Sequence, residues 1–266
     1  VTGRVLIVAG SDSGGGAGIQ ADLKTVTCLG GYAATAITAL TAQNTLGVTG
    51  IFDVPPDFIA RQMIAVLDDI GADCIKIGML HRPEVIETVV SVLDSHAPDA
   101  PIVVDPVMIA KGGASLLEDS AVSSLKAMLV SRATVLTPNV PEAEVLTDSS
   151  IVDADSAEHA GKLLCAMGAQ AVLMKGGHMT GETVVDRLIE QGEMTRTFSG
   201  PRVETRHTHG TGCTMASAIA TGLAQGLSVE DAVSRARIYV QRAIETAPGL
   251  GQGHGPLNHG YTVTPG

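Results

Sequence analysis

The chain has 266 residues, 45% of them hydrophobic, 17% charged and 2% aromatic, with 31 Gly and no Trp. That length and an aliphatic, glycine-rich make-up suit a single α/β domain over residues 1–266 better than a β-sandwich. A net charge of −11 argues against nucleic acid as a partner, although backbone N–H groups and a few cations can hold an anionic ligand locally.

Residues 4–9 are a short apolar run, read as a buried strand. A glycine-rich loop over 10–18 leads into a helix over 19–29, stopped by Gly30-Gly31. A strand, glycine loop and helix invite a dinucleotide reading, but no Gly-x-Gly-x-x-Gly can be written there, and the chain has no Walker A motif. Strands follow over 32–42 and 47–54, with Gln43-Asn44 at a polar turn between them. Pro55-Pro56 starts a helix to about 70. A strand over 74–77, a helix over 83–96 and a strand over 102–104 come next, then a flexible loop at Gly112-Gly113. Helices are expected over 120–130, 141–146 and 156–167, and strands over 134–136 and 171–174. Gln191-Gly192 joins 183–190 to 193–199 as a hairpin. Two helices, 210–226 and 229–246, precede an irregular glycine-rich tail.

Strands alternating with helices predict a mostly parallel sheet covered on both faces. In such sheets ligands bind beyond the carboxyl ends of the strands. Gly10, Gln43, Met79, Asp105, Asn139 and Lys175 fall in turn at those ends, and so describe one site.

The turn before the late helix carries the chemistry. Gly210, Thr211, Gly212 and Cys213 occupy its first turn, where backbone N–H groups are free and the helix dipole is positive. Such a turn cradles an anion. A helix N-terminus also lowers a thiol's pKa, which favours a Cys213 thiolate. Cys28, Cys74 and Cys165 sit in apolar patterns and read as core. No Cys-x-x-Cys suggests zinc or a redox pair. The start lacks a secretory n-region and h-region, so a reducing cytoplasm is the expected compartment. No run of about 18 apolar residues suggests a membrane span.

Asp105 and Glu142 are carboxylates at strand or loop ends, which suits Mg²⁺. Each has an ordinary alternative, Asp105 as a turn former and Glu142 as a first-turn helix acid. Lys175 ends a buried strand, and a lysine there needs a partner unless it reaches the surface. Gln43 offers a primary amide, which matches a ring nitrogen beside an exocyclic amine. His207 and His209 lack further ligands nearby and read as loop residues, with His209 orienting the turn. Arg235, Arg237 and Arg242 read as a solvated helix face, from which Arg237 can reach a nucleotide phosphate.

Gly14–Gly18, Asn139-Val140-Pro141-Glu142 and Gly210-Thr211-Gly212-Cys213 together resemble the ribokinase-like superfamily. A narrower resemblance is carried by Ala9-Gly10-Ser11-Asp12, Gly16–Thr25, Ile37–Thr45 with Gln43, Lys76–Leu80, Asp105-Pro106-Val107-Met108, Leu173–His178 and Thr208–Thr214. These stretches are similar to the hydroxymethylpyrimidine/phosphomethylpyrimidine kinases of thiamine biosynthesis. The resemblance implies a three-layer α/β/α fold and ATP- and Mg²⁺-dependent phosphorylation of a pyrimidine alcohol and its monophosphate. It implies Cys213 as base, where most of the superfamily has Asp, and Gly210, Thr211 and Gly212 around the transferring phosphoryl group. It implies Lys175, Asn139 and Glu142 at the nucleotide, and Asp105 and Glu142 at the metal. It implies Gln43, Gly10, Asp22, Met79 and Val107 around the pyrimidine, and a homodimer. Pyridoxal kinase, acting on another ring hydroxymethyl, and a non-catalytic pyrimidine sensor are the alternative readings.

Overall fold

The first strand decides the layering. In the computed structural model, which describes residues 2–108 and 116–263, β1 (Arg4–Asp12) is buried almost throughout. Its side chains alternate between faces, as the pleat requires. Leu6 and Val8 enter one apolar cluster, while Val5, Ile7 and Ala9 enter another. The first cluster is closed by helices α2 (Pro56–Leu67), α3 (Pro83–His96), α4 (Asp119–Ser124), α5 (Val140–Thr147) and α6 (Ala154–Ala166). The second is closed by α1 (Gly18–Cys28), α7 (Thr211–Ala224) and α8 (Val229–Glu245). The result is three layers, α/β/α, as expected.

The remaining strands are β2 (Tyr32–Asn44), β3 (Gly47–Asp53), β4 (Cys74–Ile77), β5 (Ile102–Val104), β6 (Val135–Leu136), β7 (Ala171–Met174), β8 (Thr183–Glu190) and β9 (Glu193–Pro201). Their order in the sheet is β3-β2-β1-β4-β5-β6-β7-β8-β9. Strands β2, β1, β4, β5, β6 and β7 run parallel, and antiparallel pairs close both edges. The late hairpin stands where Gln191-Gly192 put it, with both residues at positive φ, which suits a tight hairpin turn. The β2–β3 pair is a second hairpin, at the opposite edge, that alternation alone did not distinguish from a parallel pair.

From β1 the chain goes outward to β2 on one side and returns to β4 on the other. That reversal opens a crevice at the carboxyl end of β1. Gly10 and Gln43 lie within β1 and β2, not beyond them as the sequence suggested, because both strands run past the sheet body. The β1–β2 register shifts between Ala9 and Ser11, and Gly10 stands in that irregularity. The helix expected over 120–130 is α only to Ser124; it widens into a π turn over Leu125–Leu129 and tightens at Val130–Arg132. The Gly112-Gly113 loop lies outside the described residues. Among the described residues no helix is long and apolar enough to cross a membrane.

Candidate active site

Gly10, Gln43, Met79, Val107 and Cys213 wall one half-open cleft at this crevice. Met79 lies against Gly10: a Cβ at Gly10 would come within 3.0 Å of the Met79 sulfur. Gly10 and Met79 thus form one continuous stretch of wall, of backbone and polarisable thioether. Gln43 Oε1 accepts from Thr41 Oγ1 at 3.1 Å, and its side-chain nitrogen is 3.3 Å from His209 Nε2.

Asp22 does not belong to this wall. Its side chain is fully buried behind the cleft, with Lys76 Nζ at 2.9 Å from Oδ2 and Ser217 Oγ donating to Oδ1 at 2.7 Å. Burial pushes its carboxyl up, against the pull of Lys76. Lys76 itself lines the cleft. The sequence reading gave it no role, although a lone lysine in a strand covered on both faces signals a buried partner.

Asp12 is a second group the sequence reading passed over. Its carboxylate accepts from the N–H groups of Gly14, Gly16 and Ala17 at 2.8, 3.1 and 2.9 Å, and lies 2.8 Å from His209 Nε2. Burial opposes its ionisation, but these bonds outweigh burial and lower its pKa. Asp12 thus ties the glycine loop before α1 to the turn before α7. His209 orients that turn, as expected of it.

The turn itself is set by Gly210. Its φ of 85° is left-handed, and a Cβ there would collide with the Gly16 carbonyl. The Thr211 N–H returns to Thr208 O at 3.3 Å, so it is not the free donor expected of it. Among the described residues no protein acceptor takes the N–H of Gly212 or Cys213. Those two donors point out of the helix, where an anion is favoured. Thr214 Oγ1, next along, lies 2.9 Å from His259 Nε2, which pins the turn to the tail. Burial holds His259 down at about 4.

Cys213 requires a correction. The helix terminus was expected to lower its pKa. Instead burial dominates, pushing the thiol up to about 12, and Lys76 provides the largest opposing effect.

Across from this turn, Lys175 Nζ sits 2.9 Å from Asp105 Oδ1 and 3.9 Å from Glu142 Oε2. Lys175 therefore does not snorkel; it is paired. A Cβ at Gly212 would come within 3.2 Å of Lys175 Nζ and 3.3 Å of Asp105 Oδ2. The glycine thus brings backbone N–H, ammonium and carboxylate to one point. Asn139 caps α5 by accepting from Glu142 N at 2.9 Å, while Glu142 Oε2 accepts from Asn139 N at 2.8 Å. Glu142 is both the helix acid and a member of the cluster.

Asp105 and Glu142 are only two carboxylates, and among the described residues no three acidic, His or Cys side chains gather to hold a metal. Two carboxylates fit Mg²⁺ in its usual enzymatic mode, where phosphate oxygens and water complete the shell. Arg237 is not a solvated residue. Its Nε is 3.1 Å from Asp186 Oδ2, whose other oxygen accepts from Gly176 N at 2.7 Å. It braces the turn after Lys175 from behind and does not face the cleft.

Burial raises Glu142 to about 7, against the opposing pull of Lys175. The sign follows. The folded protein keeps a proton that the unfolded chain releases, so this group costs stability as pH rises from about 4.5 to about 7. Holding Mg²⁺ at Glu142 would need the ionised carboxylate. Calorimetry of Mg²⁺–nucleotide binding at pH 6.5 in two buffers of different ionisation enthalpy is expected to show proton release, and none above pH 8.

Lys175, Asp105 and Glu142 gathered beside free helix N–H groups, next to a cleft on this layered sheet, make the arrangement of a ribokinase-like small-molecule kinase. The chain belongs to the phosphomethylpyrimidine kinase family, which it matches over residues 12–258. It is 53% identical to the thiamine biosynthesis bifunctional protein ThiED of Geobacter sulfurreducens, over 97% of this chain but 52% of that one. The chain thus spans about half the length of that relative. It is 46% identical to the hydroxymethylpyrimidine/phosphomethylpyrimidine kinase of Bacillus subtilis, over 96% and 94% of the two chains. Its backbone superposes on a Bacillus subtilis pyridoxal kinase in an ADP complex with a TM-score of 0.90, at 34% identity over 98% of each chain.

Proposed function

We propose that this chain, acting as one kinase domain, phosphorylates 4-amino-5-hydroxymethyl-2-methylpyrimidine and then its monophosphate, using ATP, in thiamine biosynthesis. The observation that carries this reading is that Gln43 and Cys213 wall one cleft, while Lys175 stands beside Gly212, the residue before Cys213. Gln43 pairs its amide with the ring nitrogen and exocyclic amine, and Met79, Gly10 and Val107 hold the ring flat. The hydroxymethyl oxygen then faces Cys213, which takes its proton. The Gly212 and Cys213 N–H groups and Lys175 stabilise charge on the transferring phosphoryl group. Gly210 and Thr211 shape the turn that presents them. Asp105 and Glu142, with Asn139 holding Glu142, are the residues to hold Mg²⁺, which when bound neutralises phosphate charge.

In the second step the nucleophile is a phosphate oxygen and needs little help from a base. The homodimer reading draws on the exposed apolar side chains Leu40, Leu46, Ile51 and Phe52 of the β2–β3 hairpin and Phe58 of α2, which a second copy would cover.

Coupled ADP release over the pyrimidine alcohol, its monophosphate and pyridoxal tests the proposal. Both pyrimidines are expected to be turned over well ahead of pyridoxal. A preference for pyridoxal would favour the second reading, and no ADP with any of them the sensor. Gln43→Leu is expected to reduce kcat/KM for the alcohol about a hundredfold, mainly through KM, because two polar ring edges lose their partner. A loss confined to kcat would remove Gln43 from the ring.

A further inference from the structure

Lys76 stands inside β4, a strand covered on both faces, and its side chain has no solvent exposure. Its ammonium is held at 2.9 Å by Asp22, also fully buried, whose second oxygen is taken by Ser217 Oγ at 2.7 Å. Two packed apolar side chains would serve the sheet as well as a buried ion pair. Here the pair has an address. Ser217 lies one turn beyond Cys213 on α7, so both side chains leave the same helix face. Lys76 and Cys213 line the same cleft.

We propose that Lys76 is a positioning residue that favours the Cys213 thiolate against the burial that opposes it, and that Asp22 and Ser217 hold its ammonium on the cleft side of that sulfur. This rests on the reading of Cys213 as base. The thiol first loses its proton to water, leaving a thiolate beside the ammonium. The substrate hydroxyl then gives its proton to the sulfur as its oxygen bonds the γ-phosphorus and the bond to the ADP oxygen breaks. The thiol returns that proton to water afterwards, and Lys76 stays protonated throughout.

The groups that act on the sulfur are Lys76 from β4, Asp22 and the Gly18 N–H from α1, Asp105 beyond β5 and Lys175 beyond β7. Of the charges, Lys76 acts on it most strongly, and in favour of the anion. Asp22 alone would oppose it, so Asp22 serves through Lys76.

The test follows alkylation of Cys213 by iodoacetamide against pH, read by mass spectrometry at that residue, in the native protein and in Lys76→Met, Lys76→Arg, Ser217→Ala and Cys213→Ala. ADP release with the alcohol and the monophosphate is measured alongside. Lys76→Met is expected to slow Cys213 alkylation at pH 8 at least tenfold. It is also expected to move the rising limb of alcohol phosphorylation to higher pH while sparing the monophosphate profile. Lys76→Arg is expected to restore part of both. Unchanged alkylation in Lys76→Met overturns the proposal even if Cys213→Ala stops the first step, which leaves the base reading intact. Slowed alkylation with an unaffected Cys213→Ala enzyme overturns the base reading and supports only the coupling. If Lys76→Met does not fold, Ser217→Ala decides: a several-fold slowing supports the holding role, and native alkylation overturns it.

Discussion

Cys213→Ala is expected to lower turnover of the pyrimidine alcohol about a thousandfold, within the range of a positioned general base. The hydroxymethyl group is a weak acid, so its oxygen becomes a good nucleophile only as its proton leaves. The proposed acceptor is the Cys213 sulfur, which lines the cleft. Alanine keeps the helix, since the backbone of α7 and the Gly212 N–H are untouched. The monophosphate should therefore lose less than about tenfold, because its phosphate oxygen is already anionic. Steady-state ADP release with each substrate checks this. Equal losses on both would argue that Cys213 holds the phosphoryl group, not the proton. On the proposed function, which has Gln43 and Met79 hold the ring, KM for the alcohol should change little.

Lys175→Met is expected to act differently, cutting kcat about a hundredfold to a thousandfold on both substrates alike. Its ammonium stands beside the N-terminus of α7, with Gly212 giving it room to approach. That charge counts equally whichever nucleophile attacks. The variant also leaves Asp105 and Glu142 facing each other without their shared cation. Glu142 already stands at about 7, and loss of Lys175 pushes it higher. Its stability should therefore fall as pH rises, with a native-like melting temperature near pH 6 and a clear loss at pH 8.5. A purely structural lysine would lower both equally, and a loss on one substrate alone would count against a shared phosphoryl contact.

The layering was legible because each strand and helix carries its own period, and the site because special residues recur at strand ends. Gln43, Met79 and Lys175 stood out for that reason, and Cys213 for its place in a helix's first turn, together with a family resemblance. Lys76 did not, because Cys-Ile-Lys-Ile also reads as a strand with one solvated side chain. Only knowledge that both neighbouring faces are covered turns it into a buried charge. Asp12 was hidden by composition: in Gly-Ser-Asp-Ser-Gly an aspartate looks like a turn former, and its partner His209 is far along the chain. Asp22 was placed in the cleft for its neighbours in a motif, when its carboxylate points away to Lys76 and Ser217. The thiol of Cys213 was misjudged because a helix terminus is visible in sequence and desolvation is not.

The last strand of the sheet ends at Pro201, and helix α7 begins only at Thr211. Every strand is therefore synthesised before the residues that complete the site. A nascent chain that has just delivered β9 already contains Gln43, Lys76, Asp105 and Lys175. It still lacks His209 for Asp12, Ser217 for Asp22, and Cys213. Its apolar face under α7 and α8 is bare as well. The cleft is thus incomplete on the ribosome until the stretch beyond Pro201 has emerged and docked, and a chain released early would expose a sticky sheet.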